Sequence, residues 1–419
     1  MAISRPKGTN DIFGTNAALW QYIEARIRHT CKLFGVGELR TPIFEYAELF
    51  KQSVGETTDI VSKEMYQFTD QGGREYVLKP EGTAAAVRAY LENKMNTQPS
   101  PVKAYYISPI FRAERPQKGR YRQHHQFGAE YFGSYHPAAD AELISLAHTF
   151  LTGLGITDFT LRLNSIGDAD CRKAYNTALL DYLRSHESGL CELCRERIAK
   201  NPMRVLDCKN EGCKKISADA PLPLDHISEE AMTHFTQLQS YLAALGIDFI
   251  VDKRIVRGLD YYTRTVFEFT SNNLGSQDTV CGGGRYDYLI ERNGGQPTGA
   301  VGFGMGIERL LIILDEQGKL PNVDNSPQVF VGHMGSDGAT KAIEIVKKLR
   351  LAGVSAITDL ADRNIKSQLK YADKIGAKFS LVIGETELES GKVNLKNMQS
   401  GESIEITLDK IEENNIWKI

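Results

Sequence analysis

No stretch of this 419-residue sequence is apolar for long enough to cross a bilayer: runs such as Leu310–Leu314 fall far short of the roughly 20 residues a span needs. The opening residues, MAISRPKGTND, contain no apolar core of the kind a secretory leader requires, so the expected location is the cytoplasm, with no membrane partner. An excess of one charge is missing too. Fifty Lys and Arg against 53 Asp and Glu leave a net charge of -3, which excludes a DNA-coating protein but leaves room for local basic surfaces. Seven cysteines cannot form an even disulfide framework, and five of them fall between Cys171 and Cys213, a clustering that suits a local metal site. No GxxxxGK[ST] loop occurs, and GFGMG lacks the full dinucleotide spacing, so a bound nucleotide would be held in another way.

What is present belongs to a globular chain of two or three domains, 42% hydrophobic and 25% charged. Leu19, Ile23 and Ile27 recur on one face of a helix over residues 15–30, and Thr83 stands where it can cap a helix through AAAVRAYLENKM. VKAYYISPIFR and HHQFGAEYFG read as two strands joined by a long charged loop. From about residue 168 to 246 strands become scarce and cysteines cluster, as in an insertion. Three glycine-rich patches follow between Arg257 and Arg309, the last a strand running into a helix. After the polar linker EQGKLPNVDNSP, residues 327–419 alternate strand and helix as a small α/β domain with a mainly parallel core.

The chemistry concentrates in arginines rather than in a nucleophile. The loop IFRAERPQKGRYRQ holds Arg112, Arg115, Lys118, Arg120 and Arg122 against a single acid, Glu114. Guanidinium forks suit phosphate oxygens, so such a loop fits a polyphosphate or an RNA backbone, although a charge run is also the ordinary dress of a solvated surface. Cys191-x2-Cys194 followed by Cys208-x4-Cys213 can form a four-thiolate zinc site, though the second spacing is looser than the usual pair.

Seven motifs stand in an order that resembles a known family: RPKGTND at the start, TPIFE around Pro42, LKPEGT at 78–83, FRAERPQKGRYRQ at 111–123, VRGLDYYTRTVFE at 256–268, GGGRYD at 282–287 and GFGMGIERL at 302–310. Together they resemble the class II aminoacyl-tRNA synthetases and, within them, the histidyl-tRNA synthetase family, over nearly the whole chain. The resemblance implies an α+β catalytic domain with an antiparallel sheet over residues 1–320, a helical insertion at about 168–246, and a C-terminal α/β anticodon-binding domain at 327–419. It also implies a homodimer with the Pro42 segment at its interface. The implied substrates are histidine, ATP with Mg²⁺, and tRNA(His): the histidine carboxylate attacks the α-phosphate, and the histidyl group then passes to the 3′ end of the tRNA.

By the same resemblance, Arg112 and Arg257 are the catalytic cations at the α-phosphate, with Arg257 also holding the substrate carboxylate. Glu114 bonds the adenine amino group, and Arg120 and Arg309 take the outer phosphates. His124 stands where the family often has Phe, stacking the adenine against Arg309. Glu81, Thr83 and Gln126 bind the α-amino group; Glu130 and Tyr262 hold the two imidazole nitrogens, with Tyr261 beside them and Tyr286 closing the pocket. Arg115, Gln117, Lys118 and Arg122 approach the acceptor end of the tRNA. In the C-terminal domain, nine Lys or Arg against four acids over Lys341–Lys378 suit an anticodon stem. An inactive paralogue serving as the regulatory subunit of ATP phosphoribosyltransferase is the alternative. Such paralogues generally lose the ATP arginines and the anticodon-binding domain, both present here.

Overall fold

The computed structural model describes residues 3–55, 58–200, 202–206, 208, 210–255, 258–271, 279–413 and 415–418, with the side chains of 200, 415 and 418 excepted. It divides into two compact units, Met1–Asn322 and Val323–Ile419. The first opens with α1 (Gly14–Leu33), whose buried Ile23, Ile27 and Cys31 repeat at helical spacing. Next come β1 (Gly37–Glu38), β2 (Phe44–Tyr46), α2 (Ala47–Val54), β3 (Tyr66–Thr69), β4 (Glu75–Leu78), α3 (Thr83–Glu92), β5 (Val102–Phe111), β6 (Gln123–Phe132), α4 (Pro137–Gly153) and β7 (Thr160–Ser165). Between β7 and β8 (Ile250–Val251), the described residues carry helices and no strand: α5 (Ala169–Ser185), α6 (Glu192–Lys200), α7 (Glu211–Ala218) and α8 (Glu229–Ala244). β9 (Thr263–Thr270), β10 (Thr279–Arg285), α9 (Leu289–Arg292), β11 (Ala300–Gly306) and α10 (Ile307–Glu316) complete the unit. Among the described residues no helix is long and apolar enough to cross a membrane.

Eight strands form one sheet in the order β1-β5-β6-β11-β10-β9-β7-β8. Its pairs are antiparallel except at the two edges, where the short β1 and β8 run parallel to β5 and β7. A smaller antiparallel sheet has the order β2-β4-β3.

Strand alternation gives the large sheet two different faces. Phe127, Ala129 and Tyr131 of β6, Val301, Phe303 and Met305 of β11, and Phe267 and Phe269 of β9 join one buried cluster with residues of α1, α4, α8 and α10. The alternate positions belong to the other face: His124, Gln126, Gly128 and Glu130 of β6, and Gly302, Gly304 and Gly306 of β11. Polar groups and glycines there would be wasted in a core, but they suit a floor on which a ligand rests.

The helix over Thr83–Glu92 forms as expected, with a different start. Thr83 is its first residue rather than its cap, and its hydroxyl does not bond the helix backbone. Instead the Glu81 carboxylate accepts from the backbone N–H groups of Thr83 and Ala84, at 2.8 and 2.6 Å. A carboxylate serves the orphan N–H groups and the positive helix end together, which releases the Thr83 hydroxyl for another partner.

The second unit contains β12 (Val329–His333), α11 (Gly335–Leu351), β13 (Ala356–Thr358), α12 (Ile365–Lys374), β14 (Phe379–Ile383), α13 (Glu385–Ser390), β15 (Lys392–Asn397) and β16 (Ser403–Thr407). Its sheet runs β13-β12-β14-β15-β16, parallel through the first three strands and antiparallel through the last two. The sequence reading gives the parallel part. It omits the β15–β16 hairpin, where polar residues separate the buried Val393, Leu395 and Ile406.

Candidate active site

Glu130 is the centre of a buried polar cluster on the glycine-lined face. Its Oε1 accepts from the hydroxyls of Thr83 and Tyr106, at 2.8 and 3.1 Å, and its Oε2 from Tyr286 at 2.5 Å. Burial pushes the Glu130 carboxyl up to about 8; the three hydroxyls pull it back, and the Glu81 charge adds to the rise. Burial likewise raises Glu81, against the pull of its two backbone N–H donors. A β-carbon on Gly302 would overlap Glu130 Oε2, and one on Gly304 would overlap Gln126 Nε2, so the β11 glycines make room for both side chains. Tyr261, Tyr262 and Tyr286 pack around the cluster, with ring centroids 4.7 Å apart for Tyr261 and Tyr262 and 5.6 Å for Tyr261 and Tyr286. Gln126 Oε1 is buried without a hydrogen-bond partner among the described residues, an acceptor waiting for a donor.

The neighbouring cleft, of about 560 Å³, is lined by Arg112, Glu114, Arg120, His124, Gln126 and Arg309 among others. Arg112 Nε donates to the Pro80 carbonyl at 2.9 Å, which ties the hairpin to the segment before α3. Arg309, in the first turn of α10, donates to the carbonyls of Gly119 and Thr279 at 3.0 and 2.6 Å. Arg120 Nη1 pairs with Glu114 Oε2 at 2.8 Å, so the two groups assigned separately to phosphate and adenine meet each other in this state. His124 shares its face with Gln126 and Glu130, and that face lines the cleft rather than meeting solvent, which alternation alone leaves open. Burial and then the charges of Arg112 and Arg309 lower its pKa to about 3, so the ring is neutral at ordinary pH. Arg257 lies outside the described residues.

Of the residues expected at the tRNA, Arg115, Gln117 and Lys118 are exposed at the hairpin tip, where Lys118 also meets Glu316. Arg122 points inward instead, donating to the carbonyls of Glu114 and Lys7, both at 3.4 Å. Its place just before β6 lays it along the N-terminal segment, where its backbone N–H also bonds Gly8.

In the insertion, the sulphurs of Cys191, Cys194, Cys208 and Cys213 all lie within 4.8 Å of one another, with Cys191 and Cys208 at 3.9 Å. Four thiolates at about 2.3 Å from a tetrahedral zinc ion stand about 3.8 Å apart, so a small contraction closes this set around a metal.

Sequence reasoning missed three participants. Tyr106 was within reach, because it alternates with Tyr105 on β5 and so faces Glu130. Arg197 and Arg204, which also line the cleft, carry no signal in the sequence beyond their charge.

Comparisons with known proteins agree with this geometry. The family profile described as histidyl-tRNA synthetase matches residues 8–310, and the one described as anticodon binding domain matches residues 328–414. A histidine–tRNA ligase of Acetivibrio thermocellus is 50% identical over 412 residues, covering 98% of this chain and 99% of the relative. One from Thermoanaerobacter sp. is 50% identical over 414 residues, covering 99% of each. The solved structure of apo S. aureus histidyl-tRNA synthetase superposes with a TM-score of 0.84 at 38% identity, over 98% of this chain and 99% of that one. With a buried carboxylate ringed by hydroxyls beside an arginine-lined cleft, and with these matches over nearly its full length, the chain belongs to the histidyl-tRNA synthetase family.

Proposed function

We propose that the chain performs the two-step ligase reaction, activating histidine with ATP to histidyl-adenylate and pyrophosphate and then transferring histidine to the 3′ end of tRNA(His). The observation that carries this reading is the Glu130 cluster: a buried carboxylate among Thr83, Tyr106 and Tyr286 hydroxyls discriminates for a small ligand bearing ring N–H groups. A side chain without them would leave buried polar groups unpaired. Glu130 and Tyr262 take the imidazole nitrogens, and Tyr261 and Tyr286 shape the pocket. The orphan Gln126 Oε1 accepts from the α-ammonium, together with Glu81 and Thr83.

Arg112 and Arg257 stabilise the charge that builds on the α-phosphate, where fixed cations lower the barrier most. Arg120 and Arg309 hold the outer phosphates, His124 and Arg309 sandwich the adenine, and Glu114 bonds its amino group once released from Arg120. Mg²⁺, when bound, neutralises part of the polyphosphate charge. Arg115, Gln117 and Lys118 meet the tRNA acceptor end, with Arg122 bracing the hairpin from below. Residues 327–419 bind the anticodon stem, which the exposed Lys366, Lys370 and Lys374 on α12 favour. The four cysteines hold a structural zinc ion. A homodimer buries the β2-β4-β3 sheet, whose Phe44, Tyr46 and Phe68 are 52%, 54% and 43% exposed on each chain alone. The deciding experiment is ATP–pyrophosphate exchange with each of the twenty amino acids, followed by charging of tRNA(His). Exchange with histidine alone supports the reading; exchange with no amino acid overturns it in favour of the regulatory paralogue.

A further inference from the structure

The insertion brings two arginines to the nucleotide cleft. Arg197 lies on α6, and Arg204 in the single turn Pro202–Val205 that follows. Both line the cleft together with Arg112, Arg120, His124 and Arg309. Their side chains are only 21% and 16% exposed, unusual for arginines in a peripheral helical segment.

One carboxylate faces both of them. Arg197 Nη2 stands 3.3 Å and Arg204 Nη2 4.0 Å from Asp59 Oδ2. Arg197 Nη1 also donates to the Arg204 carbonyl at 3.3 Å, and Arg204 Nη2 to the Gly258 carbonyl at 2.9 Å. The two guanidinium groups share one carboxylate, and over the whole lining five arginines (Arg112, Arg120, Arg197, Arg204 and Arg309) stand against four acids (Asp59, Glu64, Glu114 and Glu308). A guanidinium offers five N–H donors, more than these contacts use among the described residues, and its planar fork matches phosphate oxygens.

The four-cysteine cluster brackets the pair in sequence. Cys191 and Cys194 precede Arg197, Cys208 and Cys213 follow Arg204, and the four sulphurs converge within 4.8 Å. A metal bound there closes the loop that carries both arginines and limits the positions their side chains can reach.

We propose that Arg197 and Arg204 are phosphate-binding residues of the nucleotide cleft, contacting the polyphosphate of ATP, and that zinc on the four-cysteine cluster fixes them there. This rests on the ATP-activating role argued above. It adds a contribution of the insertion to the activation step, before any tRNA is bound.

The test uses the full-length protein in ATP–pyrophosphate exchange without tRNA, with Arg197→Ala, Arg204→Ala and Arg204→Lys. Loss of a charge-assisted hydrogen bond should raise the KM for ATP and for pyrophosphate by roughly tenfold or more, with the KM for histidine unchanged. Arg204→Lys keeps the charge without the fork, and a melting curve matching the wild type separates a binding defect from misfolding. Unchanged KM for both phosphate substrates would overturn the proposal, as would a defect confined to tRNA charging, which would assign the pair to RNA. Absence of exchange in the wild type would overturn the activation reading along with this one.

The metal is tested by stripping it with a mercurial and measuring ATP affinity by equilibrium dialysis. Affinity should fall in the wild type and stay level in an Arg197→Ala, Arg204→Ala double variant. An unchanged wild-type affinity would overturn the role given to zinc.

Discussion

Replacing Glu130 with glutamine should strengthen the ligand-free protein while weakening its activity. Burial lifts the Glu130 carboxyl to about 8, whereas in an unfolded chain a glutamate ionises near pH 4.3. Below that pH the group is protonated in both states and costs nothing. As pH rises from about 4.3 to 8, the unfolded chain releases its proton and the folded one keeps it, so folding loses about 1.4 kcal/mol per pH unit. The loss levels off above pH 8 at roughly 5 kcal/mol, an upper figure because the three hydroxyl donors can rearrange. Glutamine has the same shape and no proton to release.

The two proteins should therefore be nearly level in stability at pH 4 and diverge steadily to pH 8, with Glu130→Gln the more stable. Urea unfolding followed by tryptophan fluorescence measures this directly. The chain has two tryptophans, Trp20 in the first unit and Trp417 in the second, so a Trp417→Phe background reports on the unit that holds Glu130. In exchange assays the same change should lower kcat/KM for histidine roughly 5- to 150-fold, the cost of about 1–3 kcal/mol for a buried polar group left without its partner. Stability curves that run parallel from pH 5 to 8, or unchanged histidine kinetics, would refute the reasoning.

Other consequences can be measured separately. Arg285 is fully buried between Asp140 and Asp287, at 2.5 and 2.9 Å; Asp140→Asn should cost about 3–5 kcal/mol of stability in urea, because it weakens the pairing of a buried cation. Burial pushes Asp140 up, but Arg285 and His234 outweigh it and hold the carboxyl below its ordinary range, so this contribution is present above about pH 4 and lost only as pH falls through the lowered value. With its pKa lowered to about 3, the His124 ring should show no NMR titration between pH 5 and 8. His124→Phe should keep the ATP KM close to the wild type, whereas His124→Ala should raise it. Metal analysis of protein purified without chelator should find one zinc per chain, lost in Cys213→Ala; protein without zinc and with four reactive thiols would sink that assignment. Phe44→Glu should convert a dimer to monomer in light scattering, and an unaltered mass would remove the β2-β4-β3 sheet from the interface.

The sequence by itself determined the architecture and the family, because both are written in local terms. Alternation in HHQFGAEYF and AVGFGMG specifies strands with one apolar face and one face of glycine and polar residues, and seven motifs in fixed order name the family. Spacing likewise singled out the four cysteines before their sulphurs were seen to converge. Tertiary structure decided the rest, because it depends on residues far apart in the chain meeting. Glu130, Thr83, Tyr106 and Tyr286 form one hydrogen-bonded cluster across 203 positions, Thr83 to Tyr286, and only that burial raises the carboxyl pKa. Glu81 rather than Thr83 caps α3, since a partner 47 residues away takes the threonine hydroxyl. Arg122 reads as one more basic residue in its loop, yet the N-terminal segment turns it inward. Arg197 and Arg204 sit among ordinary helical charges until the fold of the insertion sets them against Asp59 and the arginine-lined cleft.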